Sequence, residues 1–317
     1  MDISIIVPAY NEAESLPKLY EWIERVMLEN EFSYEVIFVD DGSTDGSWSI
    51  IEELQTKAPE FVRGIKFRHN YGKSPALHCG FRQAQGDVVI TMDADLQDSP
   101  DEIPELYHMV TAGNYDLVSG WKKKRYDSKL TKNLPSKLYN ATARKVTGLR
   151  LHDMNCGLKA YKNEVVKNIE VYGDMHRYIP YLAKNAGFTR IGEKVVTHRK
   201  REFGESKFGM NRFVNGYLDL ITLWFLSKFG KKPMHFFGLW GSFMFILGFI
   251  AVVVVGVNKL LALYQHVPAR LVTDSPYFYL SILAMILGTL LFLTGFLGEL
   301  ITRNAPERND YNIEKTI

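Results

Sequence analysis

Two long segments without a charged residue lie near the C-terminal end, and they constrain the fold of this chain more than any other feature. They are residues 236–257, a run of 22, and residues 277–297, a run of 21. A helix that crosses a membrane needs ~20 predominantly apolar residues, so both are long enough. The alternative is a pair of buried helices in a large soluble core, although such helices seldom stay charge-free all round for this length. The sequence therefore predicts a two-helix transmembrane hairpin over residues 233–303.

Basic residues flank the two spans. Three lysines precede the first span and two arginines follow the second: Lys228, Lys231, Lys232, Arg303 and Arg308. The loop between the spans carries one lysine and one arginine, which an aspartate partly offsets. The positive-inside tendency places both termini in the cytoplasm. The N-terminal apolar run is short and has no basic segment before it, so it does not resemble a signal peptide. We therefore expect residues 1–210 and the tail 304–317 to be cytoplasmic.

Residues 1–210 alternate between two hydrophobic patterns. Short apolar runs rich in β-branched residues predict strands at 3–7, 35–39, 62–67, 87–92 and 116–119. Amphipathic patterns between them predict helices at 13–28, 46–57, 74–84 and 100–112. This alternation is typical of an α/β domain with a mainly parallel sheet. In such sheets ligands bind beyond the carboxyl ends of the strands, so polar residues that follow strands are the first candidates for a site.

The segment between this domain and the hairpin, residues 211–232, is amphipathic and ends in lysines. It predicts an interfacial helix that lies on the membrane; a surface helix of the domain is the alternative. Within the second span, Gly288, Gly295 and Gly298 either allow the two helices to approach closely or are glycines that a membrane helix tolerates.

Charge and cysteine content argue against several classes of protein. The chain has 38 basic and 36 acidic residues, a net charge of +2, which argues against a protein that coats nucleic acid. Its two cysteines, Cys79 and Cys156, are too few for a disulfide scaffold. A basic stretch at 122–125, together with 198–201, predicts a patch that meets anionic lipid head groups; a solvated charged loop is the alternative.

Two aspartates close the predicted strand at 87–92. Asp93 and Asp95 are two residues apart, so in an extended segment their side chains point the same way. Like charges so placed repel each other unless a cation lies between them, and Mg²⁺ prefers carboxylate oxygens shared with substrate phosphates. Gln97 and Asp98 extend the polar cluster. The pattern predicts a divalent-metal site; a turn that caps the next helix is the alternative.

The aspartates that follow the strand at 35–39 are a second candidate site. Asp40 ends this strand, and Asp41 begins a turn through Gly42 and Ser43. A carboxylate in the ligand crevice accepts hydrogen bonds from a nucleobase or a ribose. A turn followed by a helix N-cap is the alternative for the rest of this segment.

Five segments together resemble a known family. They are IIVPAYNEAESL at 5–16, VDDGSTDGS at 39–47, NYGKSPAL at 70–77, DADLQDSPDEIP at 93–104 and REFGESKFG at 201–209. In this order they resemble the family 2 glycosyltransferases of GT-A fold, from the branch that loads polyprenyl phosphates with sugars (dolichyl-phosphate mannose synthase and bactoprenol glucosyltransferase). The two C-terminal spans match bacterial members of this branch.

The resemblance implies roles for individual residues. Nucleotide contacts fall on Pro8, Tyr10, Glu12, Asp40, Asp41, Lys73 and Asp93. The metal and donor diphosphate fall on Asp93, Asp95 and Gln97, with Arg201 and Lys207 as further catalytic residues that stabilise the leaving group. The acceptor phosphate falls on Lys122, Lys132, Ser136 and Ser206. Lys122 and Lys132 stand where arginines are common in the family, and Gly157 stands where some bacterial relatives carry an acidic residue.

The resemblance also implies a reaction. A sugar passes from a nucleotide-diphosphate sugar, UDP-glucose or UDP-N-acetylhexosamine first and GDP-mannose second, to undecaprenyl phosphate at a bacterial cytoplasmic membrane. Mg²⁺ or Mn²⁺ is the expected cofactor, and one displacement inverts the anomeric carbon. A phosphate monoester, with a second pKa of ~6, is largely a dianion at neutral pH, so it needs little help from a general base. Some relatives are tetramers, which implies a homo-oligomer.

Other functions remain as alternatives at this stage. A processive polysaccharide synthase would carry a Gln-x-x-Arg-Trp motif, which this sequence lacks. A nucleotidyltransferase would need a glycine-rich loop near the N-terminus, where this chain has PAYNE. A non-catalytic membrane adaptor would bind nucleotide or lipid without turnover, and the intact Asp-x-Asp motif argues against it.

Overall fold

The computed structural model describes residues 1–123, 143–144, 147–199, 222, 225, 228–229, 232–268, 271–303 and 313–317. The chain forms two compact units. The first comprises Met1–Leu220 and Asn309–Ile317, and the second comprises Ile221–Arg308. The predicted interfacial helix at 211–232 lies almost wholly outside the described residues, so it stays a prediction.

The first unit is built on an eight-stranded sheet with the strand order β7-β5-β6-β4-β1-β2-β3-β8. The strands are β1 (Ile3–Ala9), β2 (Tyr34–Asp40), β3 (Val62–Phe67), β4 (Val88–Thr91), β5 (Leu117–Trp121), β6 (Lys159–Lys162), β7 (Ile191–Val195) and β8 (Ile313–Thr316). The strands β4, β1, β2 and β3 run parallel, and so do β5 and β7. By contrast, β6 is antiparallel to both β4 and β5, and β8 is antiparallel to β3.

Helices cover both faces of the sheet, which is why its central strands are buried and mostly apolar. The helices of this unit are α1 (Leu16–Glu29), α2 (Ser47–Lys57), α3 (Lys73–Gln83), α4 (Ile103–Thr111), α5 (Asn163–Asn168) and α6 (Ile179–Asn185). Every residue of β2 is buried, as expected for a parallel strand covered on both sides. In α1, the buried face repeats with helical spacing at Leu16, Leu19, Ile23 and Met27.

The sequence patterns predicted the central strands and the long helices of this unit but missed three short strands. All five predicted strands and all four predicted long helices are present, and no end is shifted by more than three residues. The predicted helix at 100–112 begins as a 3-10 turn at Pro100–Glu102 before α4. The α/β class with a mainly parallel sheet is confirmed. Strands β6, β7 and β8 were not predicted, because short segments such as Lys-Ala-Tyr-Lys carry no clear alternation.

The last strand, β8, extends the sheet from the chain terminus. It pairs with β3, and the backbone N–H and C=O of Ile317 each bond to Gly64, at 3.0 and 2.9 Å. Lys66 and Glu314 form an ion pair of 3.3 Å across the same two strands. The sequence predicted only a cytoplasmic tail at 304–317, since four residues at the end of a chain give no pattern from which pairing can be inferred.

The second unit is a hairpin of two long helices, α7 (Pro233–Tyr264) and α8 (Pro276–Arg303). Both are long and apolar enough to cross a membrane, and few residues of either are buried. Gly241 and Gly288 face each other, and a Cβ added to either would lie 2.6 Å from the carbonyl oxygen of the other. Gly295 and Gly298 also lie against α7, at Phe237 and Pro233. Close approach of the helices therefore accounts for the three glycines of the second span.

The contact at Gly288 gives a stability prediction. In Gly288→Val the side chain meets the backbone of α7, so we expect the helices to separate and the thermal unfolding midpoint of the hairpin in detergent to fall by several degrees, in line with ~1–3 kcal/mol for overpacking. The matched control is Gly256→Val, because no atom lies within 4 Å of a Cβ at that position. Equal midpoints for the two variants would contradict close packing at Gly288.

Candidate active site

The polar residues singled out in the sequence gather at the carboxyl ends of three neighbouring strands. The register aligns Ala9 at the end of β1 with Asp40 at the end of β2. Thr91 ends β4, which lies on the other side of β1, and Asp93 follows it. Parallel strands end at one edge of a sheet, so the segments that follow β1, β2 and β4 share that edge.

Asp40 offers a buried acceptor at this edge. Its side chain is fully buried, and Oδ1 accepts a hydrogen bond of 3.1 Å from the Ser43 N–H. Oδ2 has no hydrogen-bond partner among the described residues. Burial raises the pKa of Asp40, because the charged form loses its hydration. An acceptor buried without a partner is costly, and a ligand N–H or O–H would satisfy it.

Asp41 holds a neighbouring loop rather than facing outward. Its Oδ1 accepts from the Tyr71 N–H at 2.7 Å, and its Oδ2 accepts from the Gly72 N–H at 2.9 Å. Gly42 follows with φ of +72°, and a Cβ there would lie 2.5 Å from the His69 carbonyl carbon. Only glycine fits this close approach. Asp41 therefore positions the loop 68–72, which leads into α3.

Residues 8–12, at the end of β1, lie beside the turn that follows Asp40. We call this region the Asp40 corner. Asn11, with φ of +57°, accepts a hydrogen bond from the Thr44 N–H at 2.8 Å and donates its own N–H to Ser43 Oγ at 2.9 Å. The Glu12 carboxylate accepts from Ser15 Oγ at 2.9 Å. Pro8 lies within β1, and Tyr10 follows its end. These residues border the same corner as Asp40, and their nucleotide contacts stay predictions.

The Asp-x-Asp segment, residues 93–97, follows β4 and forms a neighbouring region that we call the Asp93 corner. Asp95 is buried and its Oδ1 accepts from the Gln97 N–H at 3.2 Å. Leu96 between them has φ of +58°, a left-handed conformation that costs a leucine ~1–2 kcal/mol. Backbone strain of this kind concentrates at functional sites. The turn brings Asp93, Asp95 and Gln97 into one short loop beyond β4.

Lysines surround Asp93. The ammonium of Lys73, at the first residue of α3, forms an ion pair with the Asp93 carboxylate. Lys122, which follows β5, pairs with the fully buried Asp98 at 2.6 Å. Burial alone would raise the pKa of Asp93, but the ammonium groups of Lys73, Lys122 and Lys159 outweigh it and hold the pKa below its usual range. Asp93 is therefore a carboxylate at neutral pH.

These residues fit a divalent ion that arrives together with a phosphate ligand. Among the described residues, no group of three or more histidine, cysteine or acidic side chains could hold a metal unaided. Mg²⁺ is commonly held by one or two carboxylates, with the remaining ligands supplied by water and substrate phosphates. Asp93, Asp95 and Gln97 match that pattern. The Lys73 ammonium balances the charge of Asp93.

Gly157 lies directly against the Asp93 carboxylate. A Cβ at this position would lie 2.4 Å from Asp93 Oδ2 and 2.6 Å from its Cγ. Thr91 fixes the segment by donating from Oγ1 to the Gly157 carbonyl at 2.8 Å. The space that an acidic side chain would need at 157 is therefore filled by Asp93. The contact gives a steric reason for a glycine at this position.

The residues predicted to contact the acceptor phosphate and to stabilise the leaving group are only partly described. Lys122 lies in the Asp93 corner, with its ammonium on Asp98. Lys132, Ser136, Arg201, Ser206 and Lys207 lie outside the described residues, so their roles stay predictions. Arg199, two residues before Arg201, donates its backbone N–H to the Gln97 carbonyl at 2.9 Å.

Sequence analysis missed Lys159, which begins β6 beside Gly157. It is 3% exposed, and its ammonium donates to the Cys156 carbonyl. Burial lowers its pKa, because the charged form is poorly solvated there. Lys159 follows Gly-Leu in a strand that the sequence did not predict, so nothing in the sequence indicated that its side chain is buried. The antiparallel pairing of β6 with β4 brings it to the site.

Comparison with known proteins identifies the family. The family model described as Glycosyl transferase family 2 matches residues 4–170. The chain belongs to this family. The predictions of a family 2 glycosyltransferase and of a GT-A fold are thereby confirmed.

Two relatives match almost the entire chain, including the hairpin. The dodecaprenyl-phosphate galacturonate synthase of Rhizobium johnstonii is 32% identical over 96% of this chain and 88% of its own length. The undecaprenyl-phosphate 4-deoxy-4-formamido-L-arabinose transferase of Proteus mirabilis is 35% identical over 99% of this chain and 94% of its own length. These relatives confirm the resemblance to the polyprenyl-phosphate branch.

Solved structures of lower identity support the fold alone. Mannosyl-3-phosphoglycerate synthase from Rubrobacter xylanophilus is 14% identical, with a TM-score of 0.55 over 72% of this chain and 75% of that one. Glucosyl-3-phosphoglycerate synthase from Mycobacterium tuberculosis, solved with Mn²⁺, UDP-glucose and phosphoglyceric acid, is 18% identical, with a TM-score of 0.52 over 71% and 79%.

The loop held by Asp41 should loosen in acid. Burial, the largest influence, raises the pKa of Asp41 to about 6, so acidification through that value protonates an oxygen that now accepts a backbone N–H. We expect the protection of the Tyr71 and Gly72 amides, corrected for the intrinsic rate, to fall several-fold in hydrogen-exchange mass spectrometry between neutral pH and about pH 5.

Two variants test whether Asp41 is the titrating group. In Asp41→Asn the amides should be poorly protected at both pH values, with no step between them. The control Asp45→Asn changes an exposed aspartate whose pKa lies below its usual range, so the step should persist. A step that survives in Asp41→Asn would show that another group controls the loop.

Gly157 gives a double-mutant test of the contact with Asp93. Gly157→Ala forces its methyl into the carboxylate, so we expect a loss of ~1–3 kcal/mol in the free energy of unfolding of the first unit. In the background of Asp93→Gly the added methyl has room, and the same change should cost less than half as much. Gly46→Ala is the control, since its Cβ would lie 3.8 Å from the nearest atom. Additive costs at 157 and 93 would rule out the contact.

Proposed function

We propose that this protein transfers a sugar from a nucleotide-diphosphate sugar to a polyprenyl phosphate at the cytoplasmic face of a bacterial membrane. The observation that carries the proposal is the joining of two corners at one sheet edge. The Asp40 corner offers a buried acceptor for a nucleoside, and the Asp93–Asp95 corner offers carboxylates for a metal-bound diphosphate. The names of the relatives that match the full chain support a polyprenyl-phosphate acceptor.

The residues of this chain have separate tasks in the proposed reaction. Asp40 accepts a hydrogen bond from the base or ribose, and Asp41 holds the loop 68–72 against that corner. A divalent ion, supported by the Mn²⁺ found in a solved structure of similar fold, would be held by Asp93, Asp95 and Gln97 and would withdraw charge from the leaving diphosphate. Lys73 moves from Asp93 to a donor phosphate oxygen as the donor binds.

The acceptor provides the nucleophile without a general base at 157. A phosphate monoester is largely ionised at neutral pH, and the Asp93 carboxylate fills the space where a base could stand. Orientation of two bound substrates therefore supplies much of the rate. We propose a single displacement with inversion at the anomeric carbon, with Arg201 and Lys207 stabilising the departing diphosphate and Lys122, Lys132, Ser136 and Ser206 the acceptor phosphate.

The path of the chain supports a cytoplasmic location for both termini. Strand β8 follows the second span and pairs with β3 of the first unit, so both must lie in one compartment. A chain that crosses the membrane twice returns to the side from which it started, and the structure has two candidate spans. With the basic flanks, this supports our proposal that the catalytic unit and the tail lie together on the cytoplasmic face. The homo-oligomer implied by the resemblance stays a prediction.

A donor screen tests the proposal. The purified full chain in detergent is incubated with Mn²⁺, undecaprenyl phosphate and one donor at a time: UDP-glucose, UDP-N-acetylglucosamine, UDP-galacturonate or GDP-mannose. Mass spectrometry of the lipid extract identifies the product. UDP-galacturonate is included because one relative is named for that sugar. We expect a sugar-phosphate lipid from at least one donor. If none of the four donors yields such a product, the proposed acceptor or donor class is wrong.

Asp95 is the residue whose loss should abolish turnover. Asp95→Asn keeps the shape and removes the charge that a divalent ion needs, so we expect product formation to fall at least ~100-fold while the unfolding midpoint stays within a few degrees. Asp174→Asn is the control, because Asp174 is exposed. Retention of more than half of the activity in Asp95→Asn would remove this residue from the metal site.

A further inference from the structure

A small cavity lies beside the Asp93 corner, and apart from Lys73 none of its lining residues takes part in the nucleotide or metal contacts described above. It is enclosed by the start of α3, by residues 155–159 and by residues 176–179. Leu77, Tyr161 and Ile179 give it an apolar side. Gly157 lines the cavity and lies against Asp93, so only Gly157 would separate a group bound in the cavity from the Asp93 corner.

The cavity wall contains a buried cation without a carboxylate partner. The ammonium of Lys159 donates to the Cys156 carbonyl and, among the residues that the structure describes, forms no ion pair. The two other lysines of this corner each have one, Lys73 with Asp93 and Lys122 with Asp98. An ammonium has three donors, so Lys159 has donors left for a ligand.

The other polar groups of the wall do not neutralise Lys159. Lys73 and Arg177 are also basic, and no acidic residue lines the cavity. His176 bonds to Ser74 through both its backbone N–H, at 2.9 Å, and its Nδ1, at 3.0 Å. Buried ions in proteins are normally paired. Lys73 is paired with Asp93, whereas the Lys159 ammonium has no carboxylate partner among the described residues, so this wall suits an anionic group supplied from outside.

We propose that the cavity around Lys159 binds a small oxyanion that a substrate carries in addition to the donor diphosphate. Two groups share this chemistry: the carboxylate of a uronate donor sugar, and the phosphate of the lipid acceptor. Either is attached to one of the two reacting molecules, as the nearness of Asp93 requires. This assignment rests on the proposed function, and it makes Lys159 a residue that selects an anionic substrate group.

Binding measurements distinguish the two sources. Titration calorimetry of the full chain with Mg²⁺ compares UDP-galacturonate with UDP-galactose, which differ only in the carboxylate, and measures farnesyl phosphate separately. If the cavity takes the sugar carboxylate, the wild type binds UDP-galacturonate at least tenfold more tightly than UDP-galactose, and Lys159→Met brings the ratio to within about twofold. If it takes the acceptor phosphate, Lys159→Met weakens farnesyl phosphate at least tenfold and leaves the donor ratio unchanged.

Control variants separate charge from structure. Lys159→Arg keeps the charge and should recover most of the lost affinity. Lys162→Met removes a lysine from the same strand, one that pairs with Asp116 outside the cavity, and should change neither measurement. The proposal is overturned if Lys159→Met is folded and leaves both the donor ratio and farnesyl phosphate affinity within twofold of wild type. It is also overturned if UDP alone loses as much affinity as the other ligands, because Lys159 would then serve the diphosphate.

The measurements are independent of turnover. If the donor screen yields no glycolipid while Lys159→Met still removes the preference for an anionic ligand, the proposed reaction fails and the anion site stands. If glycolipid forms and Lys159→Met changes neither affinity, the reaction stands and the anion site fails.

Discussion

The Asp93 carboxylate, held close to three lysines and pressed against Gly157, is the interaction on which the rest of the site depends. Its charge is balanced by the Lys73 ammonium, with which it forms an ion pair. In the proposed reaction, Asp93, Asp95 and Gln97 would hold a divalent ion whose remaining ligands would be water and phosphate oxygens of the donor. Metal binding and donor binding would then be coupled at this corner.

The same carboxylate shapes the acceptor side. Because Asp93 occupies the space next to Gly157, no acidic side chain fits there, and the proposed reaction relies on a nucleophile that is already ionised. Enzymes that place two reactants side by side gain much of their rate from orientation, which a phosphate nucleophile permits. The buried Lys159 on the other side of Gly157 extends this basic environment into a cavity that has no acidic residue in its wall.

The architecture joins this chemistry to a membrane. Two helices with close glycine contacts form the hairpin, and the strand that follows them completes the edge of the catalytic sheet next to β3. Strand β3 leads directly into the loop that Asp41 holds at the nucleotide corner. The end of the chain thus pairs with the strand that leads into the loop 68–72, and this pairing requires both ends of the hairpin to lie in the same compartment.

The sequence by itself determined the alternation of strands and helices, the hairpin, and the placement of Asp40, Asp93 and Asp95 beyond strand ends. These features follow from local periodicity and from the rule that parallel strands end at one edge. Only the tertiary structure decided that Gly157 and Lys159 reach Asp93, that Lys122 pairs with Asp98, and that the tail becomes β8. Those contacts join segments tens to hundreds of residues apart through antiparallel pairing and burial, and such pairing is not encoded in the periodicity of either segment alone.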